Sequence, residues 1–157
     1  MALRVIRRGN DPVLRKKCHV VKEISPELLR LLDDMSETMY DADGVGLAAP
    51  QVGIAKKLVV IDTRESGLLE LINPEIVEKS EDEENAIEGC LSFPGLYGEV
   101  PRSQNVKVAA LNREGRKIFL KAEGLLSRAL QHEIDHLNGI LFVDRALRFV
   151  EPEEGGD

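Results

Sequence analysis

Leu28, Leu31, Leu32, Met35 and Met39 recur at intervals of three, one, three and four along "SPELLRLLDDMSETMYDAD". That spacing places them on one face of an amphipathic helix near the amino terminus. Ser25 is placed to cap it and Pro26 suits its first position. The run from Asp41 to Gly44 stops it, and "GVGLAAPQVG" is expected as a loop kept irregular by Gly44, Gly46 and Pro50. "KLVVIDT" and "LLELINPEIVEKS" read as strands, while the charge run "EDEEN" reads as a solvated turn. "NVKVAALN" and "RKIFLKAEG" alternate apolar and polar positions on either side of Arg113, Glu114 and Gly115, which predicts a hairpin. A second helix is expected from about Leu125 to Asn138, with Gly139 where a left-handed residue closes a helix. Apolar positions return in "ILFVDRALRFV", and an acidic tail from about Glu151 is expected to fray.

The 157 residues suit one domain, read here as spanning 1–157, and no second domain, linker or repeat interrupts the pattern. With 43% hydrophobic and 31% charged residues the composition is that of a globular protein, and no apolar run approaches the length that crosses a bilayer. A formal charge of -7 argues against a nucleic-acid surface, because phosphate neutralisation needs clustered Lys and Arg. The opening "MALRVIRRGNDP" lacks the apolar core of a signal peptide, so the expected setting is the cytoplasm. Cys18 and Cys90 are the only cysteines, and a bridge between them is not expected in a reducing compartment.

The chemistry concentrates in "QHEIDHLNG", residues 131 to 139. Residues four apart share a helix face, so His132 and His136 can point at one ion while Glu133 reaches a water beside it. This is the pattern of metal-assisted hydrolysis, but it supplies two protein ligands only. One metalloprotease signature continues to a third His; Gly139 fits that pattern, yet Phe142 stands at the His position. A downstream Glu would have to come from Glu151, Glu153 or Glu154 in the acidic tail, and His19 lies in a lysine-rich stretch with a surface or strand-edge role as its simpler reading. Cys90, in "EGCLSFPG", is the better claimant. A lone Cys is more often inert core; beside a helix short of one ligand, the balance shifts to metal binding. In "GVGLAAPQ" the third glycine of a dinucleotide loop is missing. The functional reading is close backbone approach at Gly44 and Gly46 with Gln51 as an amide donor, and an ordinary turn is its alternative.

"GVGLAAPQ", "EGCLS" and "QHEIDHLNG", in this order and spacing, resemble the signature motifs of the peptide deformylases, and "EGCLSFPG" is similar to the type 1 branch. The resemblance implies an α+β fold with antiparallel strands packed around a central HExxH helix. It implies a divalent metal held by Cys90, His132 and His136, with ferrous iron as the working ion and zinc, nickel or cobalt as substitutes. Glu133 becomes the general base and acid, and Gln51 with the backbone N–H of Leu91 the oxyanion donors. The reaction implied is removal of formyl from the formylmethionine of nascent peptides in a bacterial cytoplasm, by a chain expected to be monomeric, with any ribosome contact left open.

Gly44, Gly46 and Gly89 are then expected along the bound peptide, which docks as an added strand between "GVGLA" and the stretch after Pro94. Leu125 and Ala129, seven and three before His132, are expected in the methionine pocket. Arg128 stands where the resemblance implies an apolar residue, and is expected to extend outward or to bind the peptide. Asp135 is assigned a supporting ion pair or hydrogen bond, and Gln131 and Glu88 are candidates for orienting ligands. Two rivals remain on sequence: another amidase or protease built on the same helix, and a non-catalytic metal-stabilised module.

Overall fold

The computed structural model describes residues 2–151, so the acidic tail beyond Glu151 lies outside the described residues. The first helix, α1 (Pro26–Asp41), begins with Ser25 Oγ accepting from Leu28 N at 3.1 Å. The second long helix, α2 (Gly124–Leu137), ends at Asn138, and Gly139 turns the chain with φ 74°. Its bounds differ by one residue at each end from those expected.

A five-stranded antiparallel sheet separates the two helices. Its strands are β1 (Gly46–Ala48), β2 (Leu58–Ile61), β3 (Leu69–Lys79), β6 (Asn105–Leu111) and β7 (Lys117–Glu123), ordered β1-β2-β3-β6-β7. Successive side chains of a strand point to opposite faces, so both faces of β2 can be buried only if all four residues are apolar. They are: Val59 and Ile61 join Leu130, Ile134 and Leu137 of α2 in one core, whereas Leu58 and Val60 join Leu28, Leu32, Met35 and Met39 of α1 in another. The sheet therefore carries α1 on one face and α2 on the other.

A second, three-stranded sheet is built from β4 (Glu83–Cys90), β5 (Phe93–Ser103) and β8 (Arg148–Val150), in the order β4-β5-β8. Between α2 and β8 the chain makes a one-turn helix, α3 (Phe142–Arg145). The architecture is thus a mixed one of helices and antiparallel sheets.

Two local expectations are corrected and a third holds. "GVGLAAPQVG" is not all loop: Gly46–Ala48 pairs with Ile61–Val59 as an edge strand, and Ala49–Val52 forms a 3-10 turn. "EDEEN" is not only a turn, because Glu83, Glu84 and Asn85 pair with Ser103, Arg102 and Pro101. "LLELINPEIVEKS" is one strand that tolerates Pro74 through a register shift between Ile72 and Glu75, with Asn73 at φ 53°. The hairpin lies where alternation predicts it, with Leu111 opposite Lys117 and the turn closed by Asn112 Oδ1 accepting from the N–H groups of Glu114 and Arg116.

Candidate metal centre

The turn from β4 into β5 and the buried face of α2 meet beside β1. Cys90 ends β4 opposite Phe93, so the hairpin delivers its sulfur at the tip, while His132 and His136 share a face of α2. One ligand atom from each of Cys90, His132 and His136 lies within 4.8 Å of the others, and Cys90 Sγ is 3.4 Å from His136 Nε2. Among the described residues no other group of His, Cys, Asp or Glu has metal-ligand spacing. His19 instead is exposed and pairs with Lys56 through an isolated backbone bridge outside the strands, and Cys18 is buried with burial pushing its thiol up to about 11.

To serve as a metal ligand, His132 would have to present a lone pair from one ring nitrogen with the other tied off. Its Nδ1 lies 2.9 Å from Glu88 Oε1, a contact that leaves Nε2 facing the sulfur side. Phe142, at the position where a third His was sought, stacks on the His132 ring with centroids 6.1 Å apart. Glu88 also accepts from Arg102 Nε at 2.9 Å and Nη2 at 3.0 Å. Burial alone would raise the Glu88 carboxyl, but hydrogen bonds from His132 and Arg102 and the charge of Arg102 hold it well below the usual range. Asp135 pairs with Arg102 and Arg145, both at 2.6 Å, away from the ligand atoms. Gln131 does not reach the ligands; its amide bonds Ser103 and Ser127.

Glu133 is in the opposite condition. It is buried, its Oε1 has no hydrogen-bond partner, and its Oε2 lies 4.0 Å from His132 Nε2. Burial pushes its carboxyl up to about 7. Gly46 makes room for it: a Cβ there would fall 2.7 Å from Glu133 Oε2. Gln51 is fixed at both ends of its amide, with Oε1 accepting from Ala48 N at 3.0 Å and Nε2 donating to Ser92 Oγ at 3.1 Å and Cys90 Sγ at 3.6 Å.

A cleft of about 610 Å3 opens over this cluster. Gly44, Gly46, Gln51, Gly89, Cys90, Leu91, Leu125, Ala129, His132 and Glu133 all border it, and His136 lies behind them, 1% exposed. Leu125 is 53% exposed and so stands at the rim, while Ala129 is buried. The outward course expected for Arg128 is corrected: its side chain is buried against Glu88 Oε2 at 2.6 Å, although the residue still borders the cleft. Of the stretch after Pro94, Gly95 and Leu96 border the cleft, whereas the residues that follow are committed to the sheet. Gly98 and Glu99 in β5 are paired on both sides, with β4 and β8, so the free edges beside the cleft belong to β1 and β4. Sequence reasoning missed Ser92 and Arg102, which carry no local signal and become partners of Gln51 and Glu88 only through strand pairing.

A set of one cysteine sulfur and two imidazoles would suit iron, zinc, cobalt or nickel. The family model for polypeptide deformylase matches residues 3–151. A peptide deformylase of Caldanaerobacter subterraneus subsp. tengcongensis is 60% identical over 154 residues, covering 98% of this chain and 96% of that one. One from Natranaerobius thermophilus is 53% identical, covering 98% and 99%. The crystal structure of peptide deformylase from Thermotoga maritima superposes with a TM-score of 0.89 at 46% identity, covering 92% of this chain and 97% of that one.

Proposed function

The chain belongs to the polypeptide deformylase family, and from that premise we propose that Cys90, His132 and His136 hold one divalent ion beside Glu133. The reaction is hydrolytic removal of formyl from the amino-terminal formylmethionine of nascent polypeptides, releasing formate. The observation that carries the residue assignment is the juxtaposition of three ligand atoms within 4.8 Å and a buried carboxylate with one oxygen unpartnered.

When bound, a divalent ion lowers the pKa of water and polarises the formyl carbonyl. Glu133 takes the proton released as water attacks the formyl carbon, and then delivers it to the departing amine. A carboxylate raised to about 7 by burial is matched to both halves of that task. Gln51 Nε2, giving up its long 3.6 Å contact with Cys90 Sγ, and the N–H of Leu91 donate to the oxygen on which negative charge develops. The two bonds on Gln51 Oε1 and Nε2 orient it beforehand, so little reorganisation accompanies the reaction.

The peptide backbone adds as a strand at the free edge of β1, with the Gly89 end of β4 on its other side. The methionine side chain lies between Leu125 and Ala129. A thiolate donates more charge than an imidazole and makes the ion a weaker Lewis acid, so the identity of the metal matters more than in a His-only site; the family likeness, not the donor set, points to ferrous iron as the working metal, with zinc, nickel or cobalt able to replace it. The protein acts as a monomeric catalytic unit on nascent chains in the cytoplasm. Among the described residues no helix is long and apolar enough to cross a membrane.

The test is formate release from formyl-Met-Ala-Ser by protein loaded anaerobically with ferrous iron, beside Glu133→Ala and Cys90→Ala. Wild type should release formate rapidly, Glu133→Ala should keep metal and lose turnover, and Cys90→Ala should lose metal. Internal cleavage of an unformylated peptide in place of formate release would favour the protease reading and overturn the substrate.

A further inference from the structure

Arg128 is buried, borders the cleft, and directs three of its five N–H donors to the β4–β5 hairpin. Its Nη1 donates to Glu88 Oε2 at 2.6 Å and to the Val100 carbonyl at 2.9 Å, and its Nη2 to the Glu84 carbonyl at 2.5 Å. Glu84 and Glu88 lie on β4 and Val100 on β5, so one guanidinium from α2 spans both strands of the hairpin that ends at Cys90. It arises from α2 one turn before His132.

We propose that Arg128 is a positioning residue for the metal centre, clamping the hairpin that carries Cys90 to the helix that carries His132 and His136. The proposal rests on those three residues being the ligands. Its physical basis is that they come from two elements, which no covalent constraint keeps in register. His132 touches Glu88 directly, but that contact involves a ligand; Arg128 supplies a tie from α2 to β4 that involves none.

Glu88 strengthens the case. A carboxylate accepts about four hydrogen bonds, and Glu88 receives four: Oε1 from Arg102 Nη2 and His132 Nδ1, Oε2 from Arg102 Nε and Arg128 Nη1. With every acceptor position taken the carboxylate has no second rotamer of similar energy, and the His132 ring it holds is fixed in turn. A fork-shaped, permanently charged group suits this, because it satisfies a carboxylate and two carbonyls at once; a lysine ammonium reaches fewer of them in one plane.

The experiment compares cobalt-loaded wild type with Arg128→Met, which keeps the apolar stem, and Arg128→Lys, which keeps the charge. Measured are the thiolate-to-cobalt charge-transfer band, the ligand-field spectrum and the rate of cobalt release to a chelator, with circular dichroism recording the fold. Arg128→Met should release cobalt about 10 to 100 times faster, the range for losing a group that orients a ligand, and should show an altered ligand-field spectrum. Arg128→Lys should recover part of the difference, and excess cobalt should restore turnover in both variants. A folded Arg128→Met variant with unchanged spectrum and release within twofold of wild type overturns the proposal. If Arg128→Met does not fold, unchanged spectrum and release in Arg128→Lys overturns it instead. Absence of the thiolate-to-cobalt band from wild type would be a failure of the ligand assignment itself, visible without any variant.

Discussion

Two buried glutamates flank His132, Glu88 behind it and Glu133 in front, at 6% and 5% exposure. Burial acts on both in the same sense, yet their states are opposite. Behind the ring, Arg102, Arg128 and His132 fill the acceptor positions of Glu88 and hold it ionised. In front, Glu133 has one empty oxygen, and burial goes largely uncompensated. On the proposed assignment, the difference separates a carboxylate that holds a metal ligand still from one that can carry a proton. Full hydrogen bonding removes the freedom that proton transfer requires, and an incomplete set preserves it.

The strongest test of the front wall is Glu133→Gln, which keeps shape and removes the base. Turnover should fall by on the order of 10²- to 10⁴-fold, with metal content unchanged and the loss in kcat. A variant retaining more than a tenth of wild-type kcat would break the contrast, since Glu133 would then be no more chemical than Glu88.

The back wall should answer in stability. Glu88→Ala leaves Arg102 and Arg128 buried without their shared partner, and breaking a buried pair this way costs about 3–5 kcal/mol. The sign with pH follows from the depressed carboxyl. Its stabilisation is fully present above the ordinary glutamate value and is lost as pH falls through the lower folded value. Denaturant unfolding of the metal-free protein should therefore show wild type losing its advantage over Glu88→Ala in acid; a gap that stays constant down to pH 2 would contradict the pairing.

The two walls were also unequally legible in the sequence. Glu133, His132 and His136 are fixed relative to one another by helical geometry over five residues, so a local pattern reveals them. Cys90 could be argued only by asking what the helix lacked. The back wall arises from pairing far along the chain: Arg102 meets Glu88 because β4 and β5 fold together, and Arg128 could be placed on α2 while the direction of its side chain could not. The fold divides the same way. α1, α2 and the hairpin turn at Asn112–Arg116 follow local periods and turn chemistry, whereas β1 and the acidic start of β4 are strands because distant partners, Val59–Ile61 and Pro101–Ser103, complete them.

A smaller change at the front wall separates activity from stability. Gly46→Ala would place a methyl 2.7 Å from Glu133 Oε2 and 2.9 Å from its Cγ, forcing the carboxylate aside. Displacing a catalytic group by about 1 Å can cost on the order of 10²-fold, so kcat should fall by about that factor while the unfolding midpoint moves little. Equal activity in Gly46→Ala would mean that the position of Glu133 is not set by this contact.

The mildest test concerns Gln51, the front-wall group whose orientation is fixed without being neutralised. Ser92 is fully buried and its Oγ accepts one N–H of the Gln51 amide. Ser92→Ala removes one neutral hydrogen bond, worth about 1 kcal/mol, while Ala48 N continues to hold Gln51 Oε1. The amide keeps its place and loses its preferred rotation, so kcat should drop by several-fold with KM nearly unchanged. A loss confined to KM would assign Gln51 to holding the substrate in its ground state. A drop as large as that of Glu133→Gln would mean that Ser92 itself belongs to the chemistry, placing on the front wall a hydroxyl now read as support.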